Sequence, residues 1–291
     1  MEACATSHYW GREIQALGHQ VKMIPPQHVK AYLRGNKNDY NDAQAIAEAT
    51  SRPTMRCVAI KTTEQQDIQA LHRLRDLAVK QRTALGNQIR GLLAEYGVVI
   101  ARGHGRLRAA LPDLLSESSE AISSMLQALL VEAYDGFREL DQRIARYDAQ
   151  IKRISAKQPI CKLLQSIPGF GPVVASVFYS AVGDGTNYRR GRDVSASLGL
   201  VPKQHSSGGK DNLLGISKRG DKHLRYLLVH GARSVVKHAA DKDDVLSRWI
   251  NHLHQTRGYN KAAVALANKL ARIGWAVITS GEAYRPAEMA S

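Results

Sequence analysis

The sequence predicts a mainly α chain: a small α/β part at its start, a long antiparallel helical pair in the middle and a compact helical domain at its end. Three observations carry this. Residues 62–96 contain no proline, and Leu71, Ala78, Leu85 and Leu92 recur every seven residues, with Leu74, Ile89 and Tyr96 between them. A second run, Leu130, Ala133, Phe137, Leu140, Ile144, Tyr147, Ile151 and Ile154, alternates steps of three and four. On either side of these runs glycine and proline cut the chain into short pieces, and a strand signal appears only near the start. Sustained heptads of this kind indicate long helices packed along one apolar stripe.

Over residues 1–60, Tyr9 to Leu17 has helical spacing and stops at Gly18. His19 to Ile24 reads as a short strand ended by Pro25–Pro26, and a helix is expected from Asp39 to about Thr50. A lone strand cannot make a sheet, so this part reads as an incomplete α/β domain. Residues 61–157 hold the two long helices, expected as an antiparallel coiled coil; an ordinary bundle would serve the fold nearly as well. Gly103 to Gly105 and Pro112 break the chain between them. From residue 158 onward, Ile160–Ile167 and Val173–Val182 read as short helices around the turn Pro168-Gly169-Phe170-Gly171-Pro172. Further helices fit Asp193–Leu198, Lys222–Ala240 and Tyr259–Thr279, the last two apolar on one face and basic on the other. Trp249 and Trp275 lie in apolar helical patterns and are expected in the core.

The 291 residues carry a net charge of +15, with 44% hydrophobic residues. That is enough apolar material for a packed core, and the positive excess makes nucleic acid the default partner. The charge is also clustered: Arg189 to Lys237 holds eleven Lys/Arg against three acids. No run approaches the roughly 18 apolar residues of a membrane span. The opening MEACATSHYW has neither a basic region nor an apolar core, so no signal peptide is expected. Cys4, Cys57 and Cys161 form no CxxC pair, which argues against a zinc site or a disulfide framework. A reducing, cytoplasmic setting fits.

Four motifs carry candidate chemistry. In LGLVPKQHSSGGKDNLLGISKRGDKHLR, Ser206 and Ser207 precede the paired glycines Gly208–Gly209 in a basic segment. A hydroxyl-bearing loop in a cationic field suits attack on the phosphorus of a polyanion, although most such strings are only solvated loops. His205 is a candidate base beside them, and no G-x-S-x-G elbow exists to support an esterase. Lys218-Arg219-Gly220-Asp221-Lys222, with Arg225, reads as a phosphate clamp opening a helix; Lys203 and Lys210 add charge nearby. Ile167-Pro168-Gly169-Phe170-Gly171-Pro172 between short helices matches a helix-hairpin-helix, in which Gly169 and Gly171 let backbone amides approach a phosphate. The bland alternative is a plain helical turn. In Asn38-Asp39-Tyr40-Asn41-Asp42-Ala43, Asp39 and Asp42, three apart at a helix start, share a face and are able to grip a divalent cation, although Asp and Asn there are more often caps.

These segments together resemble one family. MEACATSHYW…IPPQHVKAYLRGNKNDYNDAQAIAEA, LLQSIPGFGPVVAS and LGLVPKQHSSGGK…GISKRGDKHLR follow, in order, the pattern of the DEDD/serine insertion-sequence transposases, the bridge-RNA-guided recombinases of bacterial mobile elements. The resemblance covers nearly the whole chain. It implies a RuvC-like (RNase H-like) domain, a coiled coil and a C-terminal transposase domain. Glu2 matches the second acid of the family's Asp-Glu-Asp-Asp quartet and Asp39 and Asp42 the third and fourth, which together would hold Mg²⁺. Ser207 matches the nucleophile best, with Ser206 in reserve. Implied partners are the element ends and target DNA, a noncoding bridge RNA, and further copies of the chain in a dimer or tetramer that unites the acids of one protomer with the serine of another. The family's first acid would precede Met1, so the chain reads as an N-terminally shortened copy, expected to recombine weakly or not at all while still binding nucleic acid. A non-catalytic helix-hairpin-helix binding protein is the alternative, and a metallonuclease acting on Holliday junctions ranks third.

Overall fold

The computed structural model describes residues 1–36, 38–116 and 121–286. It is mainly helical, as expected. Helices α1 (Ser7–Ala16), α2 (Pro26–Val29) and α3 (Asp39–Ser51) make up the first part, with a single 3₁₀ turn at Lys30–Tyr32. The strand expected at His19–Ile24 shrinks to single bridges: Ile24 pairs in parallel with Glu2, and Met23 antiparallel with Val58. Ile24, Val29, Ala45 and Ala49 form a small separate core beneath them.

The long pair is α4 (Thr63–Ala94) and α6 (Ser124–Lys157), with α5 (His104–Leu114) lying against their far end. Arg75 Nε meets Asp148 at 2.6 Å and Arg82 Nη1 meets Asp141 at 2.8 Å. The first number in each pair rises as the second falls, so the helices run antiparallel. The α6 stripe is as expected, with Leu130, Phe137, Ile144 and Ile151 buried. On α4 the expected stripe holds in part. Ala78 and Ile89 are buried, but Leu74, Leu92 and Tyr96 are exposed, and the seam also takes in Ile68, His72, Arg75, Arg82, Gly86 and Leu93. Three polar side chains with specific partners, His72, Arg75 and Arg82, sit in that seam, and a count of apolar residues passes over them. Gly86 admits Phe137, whose ring carbon would lie 3.2 Å from a β-carbon there. α5 itself falls in a region expected to be broken, with Pro112 inside it.

The remainder is one core of six helices: α7 (Pro159–Leu164), α8 (Pro172–Val182), α9 (Gly191–Ser197), α10 (Lys222–Lys237), α11 (Val245–Arg257) and α12 (Tyr259–Ser280). α12 runs through its middle, burying Leu266, Ala267, Leu270 and Ala271 completely. Phe170 and Phe178 meet edge to face at 5.4 Å over Gly274, where a β-carbon would come 2.8 Å from the Phe178 ring. Contrary to the sequence expectation, α12 is long and apolar enough by length and composition to cross a membrane. Half of its most apolar window is buried inside the molecule, which marks it as a core helix here. The core extends onto α4 through Ile68 and His72, whose Nε2 lies 2.9 Å from the Ser176 hydroxyl of α8. Tyr179 donates to Glu64 at 2.9 Å, fixing the start of α4 to the same core.

Candidate functional site

The serine segment is a β-hairpin. β1 (Pro202–Gln204) and β2 (Leu213–Ile216) pair antiparallel, and the backbone N–H of His205 continues the ladder to Asn212 at 3.0 Å. The turn closes through the Lys210 N–H donating to the Ser207 carbonyl at 3.1 Å. Gly208 and Gly209 have φ of 58° and 76°, the two successive positive values a type I′ turn demands, and glycine meets that demand without strain. The register sets Ser206 opposite Asp211 and Ser207 opposite Lys210. Because side chains alternate, Gln204, Ser206 and Asp211 share one face, while His205, Ser207, Lys210 and Asn212 share the other.

The two serines therefore differ in setting. Ser206 donates its hydroxyl hydrogen to Asp211 Oδ1 at 3.0 Å, and Gln204 Nε2 donates to both partners, at 2.9 and 3.1 Å. The Ser207 hydroxyl has no hydrogen-bond partner among the described residues, and the whole tip is exposed. Sequence reading missed Asp211 and Gln204. The S-S-G-G-K-D spacing, a two-residue glycine turn with polar residues paired across it, was the available signal.

The base of the hairpin is fixed by two helices. Arg225 of α10 donates through Nη1 to the carbonyls of Leu198 at 2.8 Å and Arg219 at 2.9 Å. Asn268 of α12 donates to the Leu200 carbonyl at 3.0 Å, and Asp221 caps α10 by accepting from the backbone N–H groups of His223 and Leu224. Gly199 is pressed against the Arg219 backbone, so closely that a β-carbon would collide. The expected phosphate clamp is corrected in part: Arg225 is spent on carbonyls and the α10 N-terminus is already capped. Lys203, Lys210, Lys218, Arg219 and Lys222 are exposed, and none is ion-paired among the described residues. Lys218 holds a left-handed φ of 56°, uncommon for a residue with a β-carbon.

α7 and α8 are two short helices joined by the expected turn, with Ile167 and Phe170 buried in the core. Gly169, at φ 85°, faces α10: a β-carbon there would lie 2.8 Å from the Gly231 carbonyl oxygen. Helix packing alone thus requires this glycine. Gly171 is exposed at the α8 N-cap and makes no side-chain cap bond.

The acids lie apart from the hairpin's helices in the chain's first part. Glu2 sits in the bridged segment, where the Ala3 N–H donates to the Ile24 carbonyl at 2.8 Å. Asp39 and Asp42 occupy the first turn of α3, but the cap is Asn38, accepting from the Asn41 N–H at 2.8 Å. The cap expectation thus holds through Asn38 and not through the aspartates, of which Asp39 is exposed and Asp42 half-buried. No group of three or more His, Cys, Asp or Glu able to hold a metal ion occurs among the described residues. Glu2, Asp39 and Asp42 alone do not fit Mg²⁺.

One further surface adjoins the hairpin. An open groove of about 1220 Å³ runs between β2, Trp249 of α11 and one stripe of α12. Trp249 packs against the core as expected and also forms the groove's wall, with Lys269 Nζ 4.5 Å above the ring. Trp275 is a core residue as expected, donating to the Gly185 carbonyl at 3.0 Å.

A family model described as "Transposase IS116/IS110/IS902 family" matches residues 161–246, which run from α7 through the serine hairpin to the end of α10 and the start of α11. A DEDD transposase model of the same group matches residues 2–98, which span all three acids. The chain is 48% identical over 285 residues to the transposase for insertion sequence element IS1111A of Coxiella burnetii, covering 98% of this chain and 78% of that one. The chain belongs to the IS116/IS110/IS902 transposase family. Within it, a probable family 20 transposase of Pseudomonas aeruginosa is 46% identical, over 98% of this chain and 85% of its own. The IS1328 transposase of Yersinia enterocolitica is 42% identical, over 98% and 84%. In this transposase family member the two matched stretches hold the acids and the hairpin on different elements of the fold.

Proposed function

We propose that this transposase engages DNA through the basic surface around the hairpin and that Ser207 is its nucleophile. The observation that carries the reading is the difference between the serines. Ser206 is committed to Asp211 and Gln204, whereas Ser207 projects a free hydroxyl from a fixed, exposed turn beside Lys210. In the reaction the Ser207 Oγ attacks phosphorus and loses its proton as the Oγ–P bond forms. The bond from phosphorus to one ester oxygen of the strand breaks, and that oxygen leaves as a protonated hydroxyl. One phosphodiester is exchanged for another, so the phosphoserine link keeps the energy needed for rejoining. His205, which shares the Ser207 face, is the candidate to take the proton once DNA is bound, and Lys210 and Lys203 favour charge on the phosphate.

No step is assigned to a metal, since the three acids do not make a site. The DEDD model covering residues 2–98 and the bridged segment at Glu2 support a RuvC-like domain over 1–60, followed by a helical arm over 61–157 and a transposase domain over 158–291. Exposed Leu74 and Leu77 on α4 and Met125 and Leu129 on α6 support assembly of copies through the arm. The net charge of +15 suits a guide RNA as well as DNA, and a cytoplasmic, nucleoid-associated setting follows from such partners. The second reading, a nucleic-acid-binding module without catalysis, draws on the missing metal set and on the uncapped α8 N-terminus at Gly171.

The deciding measurement is covalent capture of labelled DNA carrying an element end, resolved on a denaturing gel. The parent chain should form an adduct that Ser207→Ala abolishes and Ser206→Ala only weakens, with non-covalent DNA binding retained in both. No adduct in the parent favours the binding module, and an adduct surviving Ser207→Ala removes the serine from its role.

A further inference from the structure

The groove beside the hairpin has a composition that the serine chemistry does not use. Its charged lining is Lys218, Lys261, Lys269 and Arg272, with no acid among the lining residues. None of the four is ion-paired among the described residues. The floor is apolar: Leu213 and Leu214 from β2, and Val264 and Ile273 from α12. Leu213 and Leu214 are 63% and 48% exposed, a cost in water that a bound partner would remove.

Geometry narrows the partner. At about 1.5 Å per residue, Lys261 and Arg272 stand roughly 16 Å apart along α12. The groove also exceeds the roughly 300–1,000 Å³ of a small-molecule cleft. A row of cations over an apolar floor matches a strand with phosphates on one edge and unstacked bases on the other, and a paired duplex keeps its base faces stacked and out of reach. The Trp249 indole is already covered by Lys269, so it holds that ammonium over the groove and leaves base contact to the aliphatic floor. Lys218 enters the groove from a left-handed backbone conformation, a strained posture of the kind concentrated at binding sites.

We propose that this groove binds an unpaired stretch of nucleic acid, its phosphates on Lys218, Lys261, Lys269 and Arg272 and its bases on the Leu213–Leu214 edge and α12. The inference rests on the reading that the hairpin surface acts on DNA, and it adds that the strand next to the serine is held single. Base contact through aliphatic side chains predicts binding with little sequence preference. It also predicts that the groove favours unpaired over paired DNA.

The test uses the full chain and a fluorescein-labelled oligo-dT, with a duplex of equal length as control and anisotropy read across a salt series. Lys269→Glu/Arg272→Glu should weaken oligo-dT binding at least tenfold and flatten its salt slope by about 1.4, at about 0.7 per phosphate contact on a single strand. Leu214→Asp, at an exposed position that leaves the core intact, should erase the preference for oligo-dT over duplex. Unchanged affinity, slope and preference in these variants would overturn the proposal. So would a wild-type oligomer, seen by light scattering, that Leu214→Asp dissociates with no effect on oligo-dT binding; the groove would then be an interface between copies. Lys261→Glu, at the exposed start of α12, supplies a further variant if the double reversal fails to fold. Adduct formation is scored separately. A parent that forms no adduct yet loses oligo-dT binding in the groove variants refutes the serine reading and leaves the groove standing.

Discussion

At the scale of single residues, the most exacting position is His72. Burial, with the neighbouring His223 and Arg75, lowers its pKa from 6.5 to about 4, so in the folded chain it stays neutral and bonds Ser176. The unfolded chain protonates it near pH 6.5 and the folded chain does not until about pH 4. Stability therefore falls as pH drops through that window, by on the order of 3 kcal/mol once both values are passed. Denaturant melts of His72→Gln, which keeps a hydrogen-bonding side chain without the titration, should lose most of this dependence between pH 6.5 and 4. An identical pH profile in parent and variant would refute the assignment. Ser206 and Ser207 show the same lesson on the surface: adjacent residues of one type differ because the pleat turns them to opposite faces.

At the scale of elements, the α4–α6 pair is held by a polar knot as much as by its apolar stripe. Asp141 accepts from Arg82 at 2.8 Å and from Arg108 of α5 at 2.6 Å, so one carboxylate ties three helices. Burial works against its charge, but the two guanidinium hydrogen bonds outweigh this and hold its carboxyl below the usual value. Its contribution is present above about pH 4 and fades as pH falls through the lowered value. Asp141→Asn should cost about 1–3 kcal/mol at neutral pH, because Arg82 keeps its charge without its partner, and the variant and parent curves should converge below pH 4. Equal stability at pH 7 would mean that the knot is ornamental. The same elements mark what could be read from sequence. The α6 stripe, α3, α8 and α12 followed directly from apolar periodicity and caps. The α4 seam was found only in part, at Ala78 and Ile89, because His72, Arg75 and Arg82 do a hydrophobic residue's work by pairing. α5, α11 and the hairpin were passed over, the first because Pro112 sits in a turn it does not break, the last because a serine–glycine string reads as loop until its register is known. At the candidate site, Ser207 and its cations were legible as residue types; the Asp211 brace, the loss of Arg225 to carbonyls and the stripe of Lys261, Lys269 and Arg272 needed the third dimension.

At the scale of the whole molecule, the acids and the serine occupy different parts, joined through α4. The start of α4 is fixed on one side by Arg12, which donates to the Lys61 carbonyl at 2.8 Å, and on the other by the Glu64–Tyr179 bond. Among the described residues Glu2, Asp39 and Asp42 form no metal-holding group, so a divalent ion finds no preformed seat there. Saturating a real site a hundredfold above its Kd would add about 2.7 kcal/mol and raise Tm by several degrees. Thermal melts of the isolated chain in EDTA and in excess Mn²⁺ should therefore superimpose, and a clear rise with Mn²⁺ would show that the acids assemble after all. The contact between Gly169 and Gly231 has a different reach. Two backbones touch there with no room for a methyl group on either side, so neither codon can drift while the other is kept. As copies of a mobile gene accumulate changes, that pair should be among the last to differ in any copy that still folds, and its loss would mark a gene that has stopped making protein worth folding.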